Sequence, residues 1–383
     1  MKIIYIGEFD FTRLNASTRR MINLAKALIK NSTNEVKLFG YGNVSQLKVD
    51  GFEIKQTKRG KNKVEKIKNF ICRGGHFVEL LKKESHIDIV IYYGSSSMIL
   101  TSLMKFCESN NVKFVVDIVE WYDYSSLQMG KFGPIALSTH IAMTKLIRKA
   151  DGIIAISSFL YNYYLRFNKN VLFIPVLVDE NDYKLTNGNN VKFAEGKKHI
   201  IYAGTPGKKD LINLMISSIS NFDFEGEKIQ FHILGPTKEY LQSIISQEYL
   251  GESIICHGRI DQKLVSSYLQ ASDFSVLLRP DKRYAHAGFS TKFVESLING
   301  IPVISNLTGD IGNYIVDGEN GYIVKNLNEE SIHKVLRKVI ELNKQELNNL
   351  KENARNSGVK NFIINIYSNQ LQEFLYNIKN EKH

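Results

Sequence analysis

The sequence predicts an α/β protein of two doubly wound parallel-sheet domains facing a central cleft, and three observations carry that expectation. Apolar runs near 2–6, 36–39, 88–93, 112–116, 152–156 and 172–176 alternate with helix-period patterns such as Met21 to Ile29 and Met98 to Phe106, the rhythm of strands joined by crossover helices. After a polar stretch from Asp179 to Lys198 the rhythm restarts, with strand-like runs near 199–203, 229–234, 273–278, 302–305 and 322–324. The two starts also look alike, since Ile3-Ile4-Tyr5-Ile6-Gly7 and Ile200-Ile201-Tyr202-Ala203-Gly204 each put an apolar strand directly before a glycine turn.

Length agrees, because 383 residues exceed what one core usually organises, about 150 residues being ordinary for a domain. The expected division is a first domain over 1–180, a linker over 181–198, a second domain over 199–360 and a C-terminal helix over 361–383 that crosses back to the first domain. That last helix is read from a pattern between Asn361 and Ile378 with aromatic residues on one face.

Composition excludes several classes. A hydrophobic fraction of 43% and a charged fraction of 23% are those of a soluble globular chain and argue against disorder or fibre. Cys72, Cys107 and Cys256 stand far apart without CxxC spacing, which fits buried thiols in a reducing compartment and no cysteine metal site. The apolar start of MKIIYIGEFDF is broken at Glu8 and Asp10, so it reads as a buried first strand and not as a secretory leader. No apolar run approaches the ~20 residues that span a bilayer, and a cytoplasmic location is expected. The net charge of +11 favours anionic partners.

The segment RPDKRYAHAGFSTKFVESLINGIPVIS, from Arg279 to Ser305, is the most informative. Ser290 and Thr291 are N-cap candidates, and the amides of the following helix start favour an anion. Phe293, Val294, Leu297 and Ile298 form its apolar face, leaving Lys292 and Glu295 on the polar side, either as a solvated surface pair or as ligand contacts. Arg279 ends an apolar strand, where a guanidinium can bridge two phosphate oxygens. Gly204-Thr205-Pro206-Gly207-Lys208-Lys209-Asp210 puts two lysines at another helix start, where they oppose the helix dipole and so imply a nearby negative charge. A GxGxxG fingerprint and a GxxxxGK[ST] loop are both absent, which disfavours a dehydrogenase and a P-loop enzyme.

In the first domain Asn15, Ser17, Arg19 and Arg20 precede an amphipathic helix and offer a second anion-facing start. The strand ending at Val116 leads into Asp117, Glu120, Trp121 and Asp123, and at least one of these carboxylates is expected to face substrate. Between Lys55 and Arg73 a basic amphipathic segment suits an anionic membrane surface. Nucleic acid is disfavoured, because no helix-turn-helix, RRM or zinc pattern accompanies the basic stretch.

Several motifs together resemble the GT-B nucleotide-sugar glycosyltransferases, specifically the retaining glycosyltransferase family 4. They are ADGIIAIS at Ala150 to Ser157, IPVLVD at Ile174 to Asp179, YAGTPGKKD at Tyr202 to Asp210, HGRI at His257 to Ile260, the Ala287 to Pro302 stretch and DGENGYIV at Asp317 to Val324. The resemblance implies two Rossmann-like domains and metal-independent transfer of a sugar from a UDP-type or GDP-type donor to an acceptor hydroxyl, with no cofactor. Polysaccharide or lipid-linked oligosaccharide assembly at the inner face of the cell membrane is the implied setting. Gly204, Thr205, Lys208, Lys209, Arg259, Arg279, Ser290, Thr291, Lys292 and Glu295 would bind the donor, Asn15, Ser17 and Arg19 the acceptor. Asp117, Glu120, Lys209 and Arg279 would act in the transfer. Ala287 stands where the family carries a first motif carboxylate, and Thr205 where it carries an arginine, so the phosphate role would pass to Lys208 or Lys209 with Arg279 assisting. A nucleotide-sugar 2-epimerase on the same fold and a two-domain ligand-binding protein are the alternatives.

Overall fold

The computed structural model describes residues 1–58, 63–124, 127, 130–183, 191–206, 210–246 and 249–381. It divides into two compact units, one made of 1–178, 287–289 and 364–383, the other of 179–286 and 290–363.

The first unit runs β1 (Lys2–Gly7), α1 (Ala16–Ile29), β2 (Glu35–Gly42), β3 (Gln46–Val49), β4 (Phe52–Lys58), α2 (Lys63–Leu81), β5 (Ile89–Tyr93), α3 (Ser97–Ser109), β6 (Lys113–Ile118), α4 (Pro134–Ile141), β7 (Gly152–Ala155), α5 (Ser158–Leu165) and β8 (Val171–Phe173). Its strands make one sheet in the order β3-β4-β2-β1-β5-β6-β7-β8. All described pairings are parallel except β3 with β4. Ile3, Ile4, Tyr5 and Ile6 are all fully buried on central β1, which explains an unbroken apolar run where a half-exposed strand would alternate.

The second unit runs β9 (Lys198–Ala203), α6 (Ile212–Phe222), β10 (Ile229–Leu234), α7 (Lys238–Ile244), β11 (Ile254–Gly258), α8 (Gln262–Ala271), β12 (Phe274–Leu277), α9 (Arg283–Ala287), α10 (Thr291–Ile298), β13 (Val303–Ser305), β14 (Gly321–Ile323), α11 (Glu329–Glu341) and α12 (Lys344–Phe362). Its sheet is parallel in the order β11-β10-β9-β12-β13-β14. The last helix, α13 (Ile364–Asn380), belongs to the first unit. Its Leu371, Leu375 and Ile378 join the core that holds Met21, Leu24 and Leu28. Gln372 Nε2 donates to the Ala27 and Lys30 carbonyls of the α1 C-terminus at 2.9 and 2.7 Å.

Three features differ from the sequence expectation. Strands β3, β4 and β11 fall outside the apolar runs, because their sequences QLKV, FEIKQTK and IICHG mix polar with apolar residues at or near sheet edges. The β3–β4 hairpin turns at Asp50 and Gly51 with φ of 49° and 86°, the left-handed pair for which Asp-Gly is the expected sequence. Cys72 is exposed and only Cys107 is fully buried, so the expectation of uniformly buried thiols is corrected.

Two buried ionisable arrangements brace the sheets. In the first unit Glu84 gathers Lys2, Lys37 and Lys55 at 2.9, 2.9 and 2.7 Å. Burial would raise its carboxyl, but the bonds from Lys37, Lys55 and Lys2 outweigh that and hold it at about 2. In the second unit three histidines form a chain across neighbouring strands. His199 Nδ1 lies 2.9 Å from His232 Nε2, and His232 Nδ1 lies 3.0 Å from His257 Nε2. His199 Nε2 lies 2.8 Å from the Ala194 carbonyl. A carbonyl only accepts, so neutral His199 donates from Nε2 and accepts at Nδ1; the same logic makes His232 and His257 donate from Nε2 in turn. Phe193 stacks on the His232 ring at 3.8 Å. Burial first, then the flanking His199 and His257, pulls His232 down to about 3.

The two arrangements lose their stabilisation in different pH windows. Neutral His232 is favoured by the fold, so its contribution is complete above the ordinary histidine value of 6.5 and falls as pH drops toward about 3, at a limiting slope of about 1.4 kcal/mol per pH unit. The Glu84 contribution is present above 4.5 and is lost as pH falls through about 2. Denaturant unfolding measured between pH 6.5 and 4.5 is therefore expected to show a second-unit stability that declines with acid, and His232→Phe should flatten that decline. An unchanged slope in the variant would refute the assignment.

Candidate functional site

In the second sheet β9 lies between β10 and β12, so the strand order reverses between β9 and β12. Open parallel sheets bind ligands outside the carboxyl ends of strands at such a switch point. Tyr202 lies near the end of β9, Arg279 follows β12, and Lys292 comes from the first turn of α10. Lys292 Nζ donates to the Tyr202 hydroxyl at 2.7 Å and to Asp210 Oδ2 at 2.5 Å. The Tyr202 hydroxyl donates to the same carboxylate oxygen at 2.7 Å. Arg279 Nε stands 3.8 Å from Asp210 Oδ1, beyond hydrogen-bond reach, and both atoms are buried with no hydrogen-bond partner among the described residues.

Local sequence explains how each side chain is delivered. Ser290 caps α10 by accepting from Phe293 N at 3.3 Å. Phe293, Val294, Leu297 and Ile298 are buried, which turns Lys292 and Glu295 to the opposite side of the helix. Asn306 fixes the Arg279 backbone from both sides, accepting from its N–H and donating to its carbonyl, each at 2.9 Å. Gly204 gives Lys292 its path. At a φ of +140° a side chain would be strained, and a Cβ there would lie 2.6 Å from Lys292 Cε.

The cluster is enclosed, and among the described residues Asp210 is the carboxylate within 4 Å of both cations, with Glu295 acting on Lys292 more weakly. Side-chain exposure is 25% for Lys292, 13% for Arg279 and 10% for Asp210. Burial pulls both cations below their ordinary values, with Asp210 partly offsetting the fall. Burial and then Asp210 push the Tyr202 hydroxyl up, so it stays a neutral donor. Glu295 is half-buried and a weaker influence on Lys292 than Asp210 is. It lines a small hollow with Lys292, Ser275 and Ser296.

The structure thus brings Gly204, Arg279, Lys292 and Glu295 to one edge. The solvated Lys292–Glu295 surface pair is corrected, because Lys292 is mostly buried and bound to Asp210. The Ser290 hydroxyl accepts from the helix start as its cap, Thr291 is half-buried there, and Thr205 and Arg259 are exposed. Lys208 and Lys209 lie outside the described residues. Sequence reasoning missed Tyr202, Asp210 and Asn306 as members of the site. Tyr202 and Asp210 flank the glycine turn it did single out.

In the first unit, the Asp117 carboxylate is fully buried and fully used. Arg20 donates to it from Nε at 2.9 Å and NH2 at 2.7 Å, and Tyr5 donates from its hydroxyl at 2.5 Å. The remaining Arg20 nitrogen donates to the Pro175 carbonyl at 2.9 Å. Burial alone would lower the guanidinium, but Asp117 overrides it and holds Arg20 above its ordinary value. Neither Asp117 nor Arg20 is therefore available to substrate as the sequence suggested. Asn15 caps α1 and closes a capping box with Thr18, Ser17 Oγ accepts from Tyr93 at 3.2 Å, and Arg19 and Glu120 are half-buried.

The basic stretch expected to meet a membrane is strand and then helix. The side chains of 58–71 lie outside the described residues, while Lys55 and Arg73 at its two ends are bound to Glu84 and Glu8. No described helix is long and apolar enough to cross a membrane.

Residues 185–357 match the family model for glycosyl transferases group 1. The match lies within the span of the second unit, the one that carries the Lys292–Asp210–Arg279 cluster. An uncharacterized glycosyltransferase of Methanocaldococcus jannaschii is 22% identical over 241 residues, 57% of this chain and 56% of that protein. The chain thus matches little more than half the length of that relative. Among solved structures, sucrose-phosphate synthase of Thermosynechococcus elongatus superposes with a TM-score of 0.70 at 15% identity, covering 98% of this chain and 99% of the other. HepE of Anabaena, solved in complex with UDP, gives 0.71 at 13% identity over 98% and 100%. The fold is accordingly GT-B, with two Rossmann-like parallel-sheet units.

If Asp117 is a structural anion, Asp117→Ala should cost about 3–5 kcal/mol of folding stability by stranding Arg20, as read from urea unfolding of the first unit. A loss under about 1 kcal/mol would contradict that role.

Proposed function

We propose that the protein is a retaining glycosyltransferase of family 4 that moves a hexosyl group from a UDP-type or GDP-type donor to an acceptor hydroxyl. One observation carries this reading: two enclosed cations, Arg279 and Lys292, converge on one carboxylate within 4 Å among the described residues, Asp210, at the switch point of the second sheet. A diphosphate supplies the negative charge and the acceptor oxygens this arrangement lacks. The group 1 match over the same unit supports the donor class, and the UDP bound to HepE supports a uridine nucleotide as the first to try.

In this reading Arg279 and Lys292 hold the β-phosphate oxygens, with Lys208 and Lys209, which precede Asp210 in the sequence, adding charge. Glu295 accepts from ribose hydroxyls. As the bond from the anomeric carbon to the phosphate oxygen breaks, the acceptor oxygen bonds to that carbon from the same face and its proton passes to the departing phosphate. Negative charge grows on the diphosphate at that moment, and each buried cation is worth about 2–4 kcal/mol of barrier there. These cations supply what a metal would otherwise supply, so transfer is metal-independent and without a cofactor. Asn15, Ser17, Arg19 and Glu120 are the first-unit groups assigned to the acceptor. Assembly of a surface polysaccharide or a lipid-linked oligosaccharide, at the cytoplasmic face of the membrane, is the setting we assign.

A thermal-shift panel of UDP, GDP, ADP and CDP tests the reading. One nucleotide should raise the melting temperature, and Lys292→Ala or Arg279→Ala should weaken its binding about 10- to 100-fold, the loss expected when one charged partner is removed. A panel without a responder would overturn it. Sugar conversion without an acceptor would reassign the site to an epimerase.

A further inference from the structure

The arrangement around Asp210 holds more than a salt bridge requires. Lys292 Nζ and the Tyr202 hydroxyl both converge on Oδ2 at 2.5 and 2.7 Å. Among the described residues the other oxygen, Oδ1, has no hydrogen-bond partner, and the buried Arg279 Nε that faces it across 3.8 Å has none either. A carboxylate brings two oxygens and one charge to a place where two cations converge. Two neighbouring cations in a poorly hydrated site repel strongly, and a nearby carboxylate is what makes such a site tolerable. The α6 start beside Asp210 adds partial positive charge, since Leu211 at its N-cap makes no side-chain capping bond.

We propose that Asp210 is an internal stand-in for the donor's diphosphate: its carboxylate holds Lys292 in place for the phosphate and competes with the phosphate for both cations. This rests on the donor-site reading above. Asp210 touches Lys292 and not the donor, so it is a positioning residue. Its charge keeps Lys292 and Arg279 close together without a ligand, and the same charge weakens their hold on the diphosphate and speeds its release. Tyr202 keeps the carboxylate turned toward Lys292 through its hydroxyl. A diphosphate has enough terminal oxygens to satisfy Arg279 Nε and the remaining Lys292 protons together.

Asp210→Asn keeps the size and one acceptor oxygen while removing the charge. Calorimetric titration of the full chain with inorganic pyrophosphate should show the variant binding about 10-fold more tightly than wild type, because two buried cations then lack their counter-charge. With a responsive sugar nucleotide, kcat and KM should fall together as product release becomes limiting; a merely structural role would lower kcat with KM unchanged or raised. Asp210→Asn should also gain more melting temperature from pyrophosphate than wild type does, and a variant folded only with pyrophosphate present would support the proposal. A variant folded with equal or weaker pyrophosphate affinity, or one that stays unfolded with and without it, overturns this inference alone. Wild-type protein that binds neither pyrophosphate nor any nucleoside diphosphate overturns the donor-site reading as well.

Discussion

At the β9–β12 edge of the second unit Lys292 and Arg279 converge on Asp210, the carboxylate within 4 Å of both among the described residues, and the binding site is built around that shared counter-charge. An enclosed cation without a counter-ion is costly, and a protein avoids it unless a ligand supplies the missing charge or the cation is paired from within. Here the pairing is incomplete. Among the described residues Lys292 is paired, Arg279 Nε is not, and the nearest carboxylate oxygen is itself without a hydrogen-bond partner. The rest of the site serves to keep that arrangement in place: Gly204 makes room for the lysine stem, Asn306 grips the arginine backbone, and the capped start of α10 fixes where Lys292 emerges.

The first unit uses similar parts to the opposite end. Arg20 and Asp117 form a one-to-one pair deep in the sheet edge, and Tyr5 takes the acceptor capacity that remains. The Arg20 nitrogen that does not reach Asp117 reaches the Ile174 and Pro175 carbonyls. Such a pair is closed to ligands, because every charge and most hydrogen-bonding positions are already used. It ties α1 and β1 to β6 and to the chain leaving β8. The same residue types can therefore make a brace or a binding site, and the difference lies in whether the charges and hydrogen bonds balance.

Much of the fold was legible because parallel sheets covered on both faces require long apolar runs, and runs such as Ile3 to Ile6 and Ile200 to Tyr202 are buried as that rule demands. Edge strands were harder. Positions at and beside an edge tolerate Lys, Glu and Gln, so β3 and its neighbour β4 hide their strand character, although Asp50-Gly51 marks the turn between them. For the site, Arg279 is legible as a guanidinium at the end of an apolar strand, able to bridge phosphate oxygens, and Lys292 as a cation on the polar face of a helix start that favours an anion. Asp117 is legible only as a carboxylate following a buried strand; its partner Arg20 is 97 positions away in sequence, and no local pattern announces the pairing. Asp210 and Tyr202 were missed because a strand-end tyrosine and an aspartate before a helix look like packing and capping groups. Only the fold shows that both converge on Lys292.

The most direct measurement is a crystal structure of the protein with the nucleoside diphosphate that binds best. Phosphate oxygens are expected within hydrogen-bond distance of both Lys292 Nζ and the Arg279 guanidinium, at the carboxyl ends of β9 and β12. A diphosphate bound elsewhere, with Lys292 and Arg279 still facing only Asp210, would contradict that expectation.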